Sequence, residues 1–179
     1  MIAYAITDPT TLDFQNLDQD LAHFSQHAKM ILYRDKQNPN YALYAKRFIE
    51  NAQKYTFDKI LLHSNVVLAS KLNADGVHLT SVQFDEIQRA KELNLFVVIS
   101  THTPEEVQKA EQCGADMVTF SPIFSTPNKG RAKGVEALAS LVAQSSIPII
   151  ALGGILSSDQ IALCSRYGAV GFASIRYFG

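Results

Sequence analysis

Eight short apolar runs alternate with stretches of helical periodicity along the whole chain, and this alternation is the strongest constraint on the fold. The apolar runs span residues 2–6, 30–33, 59–62, 76–79, 96–100, 117–120, 148–152 and 171–174. Most of them are continuous rather than alternating, which is typical of strands that are buried on both faces. Strands of this kind occur in parallel sheets, where helices connect one strand to the next.

Seven segments between these runs carry apolar residues at helical spacing. They lie around residues 17–24, 41–48, 66–72, 84–93, 104–112, 134–143 and 159–167. Thr103 precedes Pro104, and Glu106 stands at the capping-box distance, so the fifth helix begins there. Ser158 opens the seventh helix, and Gly168 stands where that helix ends.

Eight strands alternating with seven helices predict a (β/α)₈ TIM barrel in one domain over residues 1–179. An open, doubly wound sheet is the alternative that the same alternation permits. No helical segment follows the eighth strand, so one apolar face of the barrel lacks its outer helix. We expect either a second copy of the chain, as in a homodimer, or the folded-back residues Tyr177 and Phe178 to cover that face.

Composition and charge exclude several classes of function. The net charge of −1 gives no electrostatic basis for a nucleic-acid or membrane partner. No apolar run approaches the ~20 residues that a membrane span needs. Asp8 lies where a signal peptide would be apolar, and Cys113 and Cys164 lack the spacing of a metal or redox site. These features predict a cytoplasmic protein with reduced thiols.

Polar side chains follow most of the predicted strands. In a barrel, the carboxyl ends of the strands meet at one mouth. The sequence places there Arg34, Lys36, His63, Ser100, His102, Thr126, Asn128, Lys129, Gly153 and Gly154. Cations that converge with hydroxyl groups and glycine amides favour a phosphorylated small molecule as the ligand. The simpler alternative is a set of ordinary solvated loops. His78 lies within a strand and is interpreted as a hydrogen-bonded core residue. His63 and His78 lack a third obvious ligand, so no zinc site is predicted.

Seven segments, in order along nearly the whole chain, resemble one known group of proteins. They are YAITD at 4–8, YRDK at 33–36, ADGVHL at 74–79, STHT at 100–103, GAD at 114–116, SPIFSTPNK at 121–129 and IALGGI at 150–155. Together they are similar to the thiamine-phosphate synthase and thiazole tautomerase superfamily. The synthases join an aminopyrimidine methyl diphosphate to a thiazole phosphate and release diphosphate with the help of magnesium.

The resemblance implies a role for most of the candidate residues. Arg34, Lys36, Ser100 and Lys129 would hold the diphosphate, whereas Thr126, Asn128, Gly153 and Gly154 would hold the thiazole phosphate. The cations would stabilise the departing diphosphate electrostatically. Arg176 replaces a serine that is usual in the turn after the eighth strand, and its guanidinium can itself bind phosphate.

Two departures from the synthase pattern concern the metal. Ser64 and Gln83 stand where the synthases carry their two magnesium-binding aspartates. Magnesium prefers one or two carboxylates together with substrate phosphates, and these side chains are neutral. No resident metal or other cofactor is therefore predicted, and magnesium would bind only with the support of the substrate diphosphate.

The same departures keep two alternative functions open. The tautomerases of the superfamily need no metal, but they use a histidine where this chain has Pro122. In a tautomerase, His63 or His102 would have to supply the base from elsewhere at the mouth. The third possibility is a non-catalytic protein that binds phosphorylated thiamine intermediates. A synthase-like enzyme is the leading prediction.

Overall fold

The computed structural model describes every residue from Met1 to Gly179. Eight parallel strands, hydrogen-bonded in chain order, close into a barrel, and seven helices lie outside it. The strands are β1 (Ile2–Ile6), β2 (Met30–Tyr33), β3 (Lys59–His63), β4 (Gly76–Leu79), β5 (Phe96–Thr101), β6 (Met117–Phe120), β7 (Ile149–Leu152) and β8 (Gly171–Ser174). The TIM barrel prediction is confirmed, and the open sheet is excluded because β1 pairs with β8.

The helices follow the strands as the periodicity predicted. They are α1 (Leu17–His27), α2 (Tyr41–Ala52), α3 (Val66–Lys71), α4 (Glu86–Glu92), α5 (Pro104–Cys113), α6 (Gly134–Gln144) and α7 (Ser158–Arg166). Thr103 caps α5 as predicted, since its hydroxyl accepts a hydrogen bond from the backbone N–H of Glu106 at 3.2 Å. Helix α7 begins at Ser158 because Ser157 and Gln160 form a capping box just before it.

Alternate residues of each strand point into the barrel or outward against the helices. On β1, Tyr4 points inward and Ala5 outward, and the register sets Tyr4 beside Met30 of β2. The inner core consists of Tyr4, Ile6, Met30, Leu32, Leu61, Val98, Ile150 and Ala173. Burial of each large apolar side chain contributes roughly 1.5–3 kcal/mol to folding. The barrel is therefore filled below its mouth, and the strand ends form a rigid frame above this core.

The chain ends by folding back onto the barrel face that has no eighth helix. The Phe178 side chain is 3% exposed, and its ring stacks on Phe172 with a centroid distance of 5.7 Å. His23 of α1 donates from Nε2 to the Phe178 carbonyl oxygen at 2.8 Å. Tyr177 stays 37% exposed, and its ring contacts Phe172 edge-on with a centroid distance of 5.3 Å, so both residues of the predicted tail pack there and Phe178 is the buried one.

None of the seven helices is both long enough and apolar enough to span a membrane. Cys113 is exposed and Cys164 is buried, and both thiols are free.

Candidate functional site

A cavity of about 290 Å³ opens at the mouth formed by the carboxyl ends of the strands. Its walls come from the loops that follow seven strands, β2 to β8. The candidate residues in the lining are Arg34, Lys36, His63, Ser100, His102, Thr126, Lys129, Gly153, Gly154 and Arg176. The fold thus brings together residues that are spread over most of the sequence, because parallel strands present all their carboxyl ends to one side.

The positive charges of this cavity have no acidic partner in the protein. Arg34, Lys36, Lys129 and Arg176 all line it, and no aspartate or glutamate does. The ion pairs of the molecule lie elsewhere, on the helices and at the foot of the barrel. Burial lowers the pKa of Lys36, and the nearby charges of Arg34 and Lys129 lower it further. An anion in the cavity would relieve this repulsion.

His63 lies beside the cations and is held neutral by its surroundings. Burial is the main cause that lowers its pKa to about 4, and the positive charges of Arg34 and Lys36 add to the effect. The backbone N–H of His63 donates to the Tyr41 hydroxyl at 3.1 Å, which fixes the end of β3. A neutral imidazole adds hydrogen-bonding capacity to the cavity without adding charge.

A chain of buried hydrogen bonds crosses the barrel beneath the cavity. The Tyr4 hydroxyl lies 2.9 Å from His78 Nδ1, and His78 Nε2 lies 2.9 Å from Ser100 Oγ. Tyr4 is fully buried and has no other acceptor, so we assign its proton to the bond with Nδ1. His78 then carries its own proton on Nε2 and donates it to Ser100. The Ser100 hydroxyl is left to donate its proton to a ligand in the cavity.

His78 matches its prediction as a hydrogen-bonded core residue, and it also lines the floor of the cavity. Burial lowers its pKa to about 3, and the charges of His63 and Arg34 act in the same direction. Both ring nitrogens are engaged in the chain from Tyr4 to Ser100. The role of His78 in this geometry is to orient the serine hydroxyl.

His102 lies at the exposed rim of the same cavity. Its Nδ1 lies 3.1 Å from the Ser121 carbonyl oxygen and must donate to it, and the Ser121 hydroxyl is at 3.2 Å. Its backbone N–H donates to Glu106 Oε2 at 2.6 Å. With the proton on Nδ1, Nε2 carries a free lone pair. Of the two candidate bases, His102 is therefore the one with an oriented acceptor nitrogen.

The turn after β7 supplies backbone donors to the cavity. Gly153 and Gly154 have φ values of 100° and 69°, which favour glycine. A Cβ on Gly153 would lie 2.7 Å from Pro122 Cα, and one on Gly154 would lie 2.6 Å from the Ser125 carbonyl oxygen. The backbone N–H groups of both glycines donate to no acceptor within the protein. They are free to bind an anion.

The family of the chain follows from comparison with known proteins. The family model described as thiamine monophosphate synthase matches residues 3–178. The chain belongs to the thiamine monophosphate synthase family. The resemblance inferred from the seven sequence segments is confirmed.

Individual relatives within the thiamine monophosphate synthase family agree with this. A candidate second thiamine-phosphate synthase of Aquifex aeolicus is 32% identical over 98% of this chain and 96% of its own length. The thiamine-phosphate synthase of Lactococcus lactis is 30% identical over 97% of this chain and 86% of its own length. The structure is also similar to a thiamine phosphate pyrophosphorylase from Pyrococcus furiosus, with a TM-score of 0.81 and 28% identity over 97% of this chain and 85% of that one.

One candidate residue of the family pattern lies apart from the cavity. Asn128 does not contribute to the lining and is exposed, with a φ value of 62°. Asparagine tolerates this left-handed conformation better than most residues, so its position suits the turn that carries Lys129. Conversely, Thr80, Ser81 and Ser174 line the cavity although no sequence motif singled them out. The only sequence feature that could have indicated them is their position at or just after the ends of β4 and β8.

The residues present do not fit the magnesium ion that the family's synthases use. Gln83 donates from Nε2 to the Ser64 carbonyl oxygen at 3.0 Å, and its Oε1 accepts from the backbone N–H of Thr80 at 3.0 Å. The two family metal positions are thus joined by a neutral hydrogen bond. Burial is the main cause that raises the pKa values of Tyr33 and Tyr41, and the charge of Asp35 adds to it; Asp35 does not line the cavity. No group of three His, Cys, Asp or Glu residues is placed to hold a metal ion.

Proposed function

We propose that this protein is a synthase of thiamine biosynthesis that couples aminopyrimidine methyl diphosphate to thiazole phosphate and releases diphosphate. The observation that carries the proposal is the convergence of Arg34, Lys36 and Lys129 on one cavity without any carboxylate. Membership of the thiamine monophosphate synthase family, with relatives named as thiamine-phosphate synthases, indicates which phosphorylated ligands to expect.

The cations would act on the diphosphate as it leaves. When the bond from the pyrimidine methyl carbon to the diphosphate oxygen breaks, negative charge develops on that oxygen. The thiazole nitrogen supplies the electron pair of the new carbon–nitrogen bond. Arg34, Lys36 and Lys129 are placed to stabilise the developing charge, and electrostatic stabilisation of this kind is commonly a large part of catalysis. The Ser100 hydroxyl would add a donor whose direction is set by His78.

The thiazole phosphate would bind at the turn after β7. The free N–H groups of Gly153 and Gly154 support this assignment, together with Thr126 and the guanidinium of Arg176 in the same lining. The loops after the seventh and eighth strands are a frequent phosphate site in barrels of this type. The two anionic ends of the reacting pair would then bind to different residues of one cavity.

The direct test of the proposed function is a coupling assay with both substrates, in which thiamine phosphate and diphosphate are measured in the presence and in the absence of magnesium. We expect the two products to appear in equal amounts. Failure to form thiamine phosphate under either condition would exclude the synthase.

A metal-independent thiazole tautomerase is the second candidate, because His102 presents a free Nε2 at the rim. His63 is less suited to be the base, since a group with a pKa of about 4 is a weak base near neutral pH. This function predicts isomerisation of thiazole carboxylate phosphate without metal, slowed in His102→Ala. A non-catalytic binder would bind the phosphates, lose affinity in Lys129→Ala and turn over neither set of substrates.

A homodimer in the cytoplasm belongs to the same proposal. Val170 and Tyr177 remain 39% and 37% exposed, one just before β8 and the other just after it, and we expect a second copy to bury them. Sedimentation equilibrium tests the homodimer, and a purely monomeric profile would exclude it.

A further inference from the structure

The space near the two family metal positions is filled by a hydrogen bond between neutral groups. Both ends of the Gln83 amide are hydrogen-bonded within the protein. Nε2 donates to the Ser64 carbonyl oxygen, and Oε1 accepts from the backbone N–H of Thr80. The bond ties the loop after β3 to the loop after β4. The amide oxygen is already engaged by an N–H, and neither position supplies the carboxylate that magnesium prefers.

The charge balance of the cavity also argues against a metal ion at these positions. A magnesium ion and two aspartates carry opposite charges of equal size, so a site that loses all three keeps the same net charge. What remains in this chain is four cationic side chains, those of Arg34, Lys36, Lys129 and Arg176, and no acidic one. Arg176 stands where the family usually has serine, so the chain has gained a cation while it lost the metal ligands.

We propose that this cavity binds inorganic diphosphate, and the diphosphate group of its substrate, without a divalent cation, because Arg34, Lys36 and Lys129 act there together with the additional Arg176 and no carboxylate opposes them. The identity of the substrate rests on the proposed function, whereas the binding of inorganic diphosphate does not. Guanidinium and ammonium groups form charge-assisted hydrogen bonds with phosphoryl oxygens and need no metal to bridge them.

The test is a calorimetric titration of the full-length protein with inorganic diphosphate, first with a chelator and then with millimolar magnesium chloride at constant ionic strength. We expect binding in the chelator, and an affinity that magnesium leaves unchanged or weakens. Magnesium lowers the negative charge of diphosphate and so its attraction to the cations. Binding that requires magnesium, binding that magnesium tightens by about tenfold or more, or no binding in either buffer would overturn the proposal.

A pair of matched double variants sharpens the test. Ser64→Asp with Gln83→Asp restores the carboxylates, and Ser64→Asn with Gln83→Asn has the same size without the charge. Ser64 has a φ value of 69°, a conformation that aspartate and asparagine both tolerate. We expect the acidic pair alone to lose roughly tenfold or more in affinity in the chelator and to regain it with magnesium. An acidic pair that binds like the amide pair in both buffers would contradict the proposal. Should the acidic pair not fold, the wild-type titrations decide alone.

The outcome separates this proposal from the proposed function. A protein that binds diphosphate in the chelator but forms no thiamine phosphate supports metal-free binding and excludes the synthase. A protein that forms thiamine phosphate only with magnesium, and binds diphosphate only with magnesium, supports the synthase and overturns metal-free binding.

Discussion

Lys129 reaches the cavity from the loop after β6, and its charge is not paired with any carboxylate. Replacement by alanine removes one charge-assisted hydrogen bond to a phosphoryl group, which is typically worth about 1.5–3 kcal/mol. We therefore expect Lys129→Ala to weaken diphosphate binding by roughly 10- to 100-fold in calorimetry. Arg131→Ala is the matched control, because Arg131 is exposed in the same loop and does not line the cavity. Equal losses in the two variants would contradict the assignment.

Tyr4 acts on the cavity only through His78. In Tyr4→Phe, His78 Nδ1 loses its donor, so the imidazole proton is free to move to Nδ1 and Nε2 then accepts from Ser100. The serine hydroxyl would turn away from the ligand. We expect diphosphate affinity to fall by about tenfold or less, while the fold persists.

Nitrogen-15 NMR of the His78 ring shows directly which ring nitrogen is protonated. We expect the proton on Nε2 in the wild type and on Nδ1 in Tyr4→Phe. Tyr44→Phe serves as the control, since the Tyr44 hydroxyl makes no hydrogen bond within the protein. An Nδ1-protonated His78 in the wild type would refute the assigned direction of the chain.

The two buried histidines make stability depend on pH. Their pKa values are about 4 for His63 and about 3 for His78 in the folded protein, against 6.5 for the unperturbed side chain. At a pH between the folded-state pKa of a histidine and 6.5, that histidine binds a proton in the unfolded chain but not in the folded one. The stabilisation that each neutral imidazole gives the folded protein is therefore complete above the unperturbed pKa of 6.5. It is lost as the pH falls from there towards the folded-state pKa.

We expect the free energy of unfolding to decrease by roughly 2 kcal/mol for each histidine between about pH 6.5 and pH 5, before unperturbed carboxylates begin to titrate. Urea unfolding at several pH values measures this, and His63→Gln should show a shallower slope than the wild type. A stability that is constant over this interval would show that the two imidazoles take up protons in the folded state as they do in the unfolded chain.

At the scale of elements, the turn after β7 is held against the loop after β6. Ile123 donates to the Leu152 carbonyl oxygen at 2.9 Å, and Phe124 donates to that of Gly153 at 3.0 Å. Because these bonds hold the two segments close together, glycine is needed here for packing as well as for anion access. A side chain at Gly154 would push the two segments apart, and Thr126 and Lys129 lie on the segment that would move.

Gly154→Ala combines a left-handed backbone with a clash, whereas Gly114→Ala has the left-handed backbone alone, with no atom within 4 Å of the added Cβ. The left-handed conformation costs roughly 1–2 kcal/mol, and overpacking adds about 1–3 kcal/mol. We expect Gly154→Ala to lose more stability in urea and also to bind diphosphate more weakly. Equal behaviour of the two variants would mean that the contact between the two loops is unimportant.

The elements were predictable because their signals are local. Strand runs, the Thr103 cap and the glycines that end helices depend on neighbours a few residues away, so most bounds agree to within about two residues, whereas α1 and α2 extend three and four residues beyond their predicted ends. Strand ends also located most of the cavity lining. The orientation of single side chains was not predictable: Arg34 and Lys36 face the cavity and Asp35 does not, although the three are adjacent. The bond between Tyr4 and His78 joins residues 74 positions apart, and no local pattern reveals it.

At the scale of the whole molecule, the barrel closes without an eighth outer helix. Phe178 takes part of that helix's place, stacked on Phe172 and held through its carbonyl by His23. Phe178→Ala should lower the free energy of unfolding by about 3 kcal/mol, at the low end of the range for a buried phenylalanine because the chain terminus can relax. Tyr177→Ala, at a half-exposed neighbour, should cost less. A smaller loss for Phe178→Ala than for Tyr177→Ala would contradict this role.

The central claim is that the mouth of the barrel binds phosphoryl groups between Arg34 and Lys36, which follow β2, and Lys129 in the loop after β6. A crystal structure of the protein with inorganic diphosphate and thiazole phosphate tests it most directly. The expected result is a diphosphate within hydrogen-bonding distance of Arg34, Lys36 and Lys129, and a phosphate on the amides of Gly153 and Gly154. Ligands bound elsewhere on the molecule, or an empty mouth at saturating concentrations, would contradict the claim.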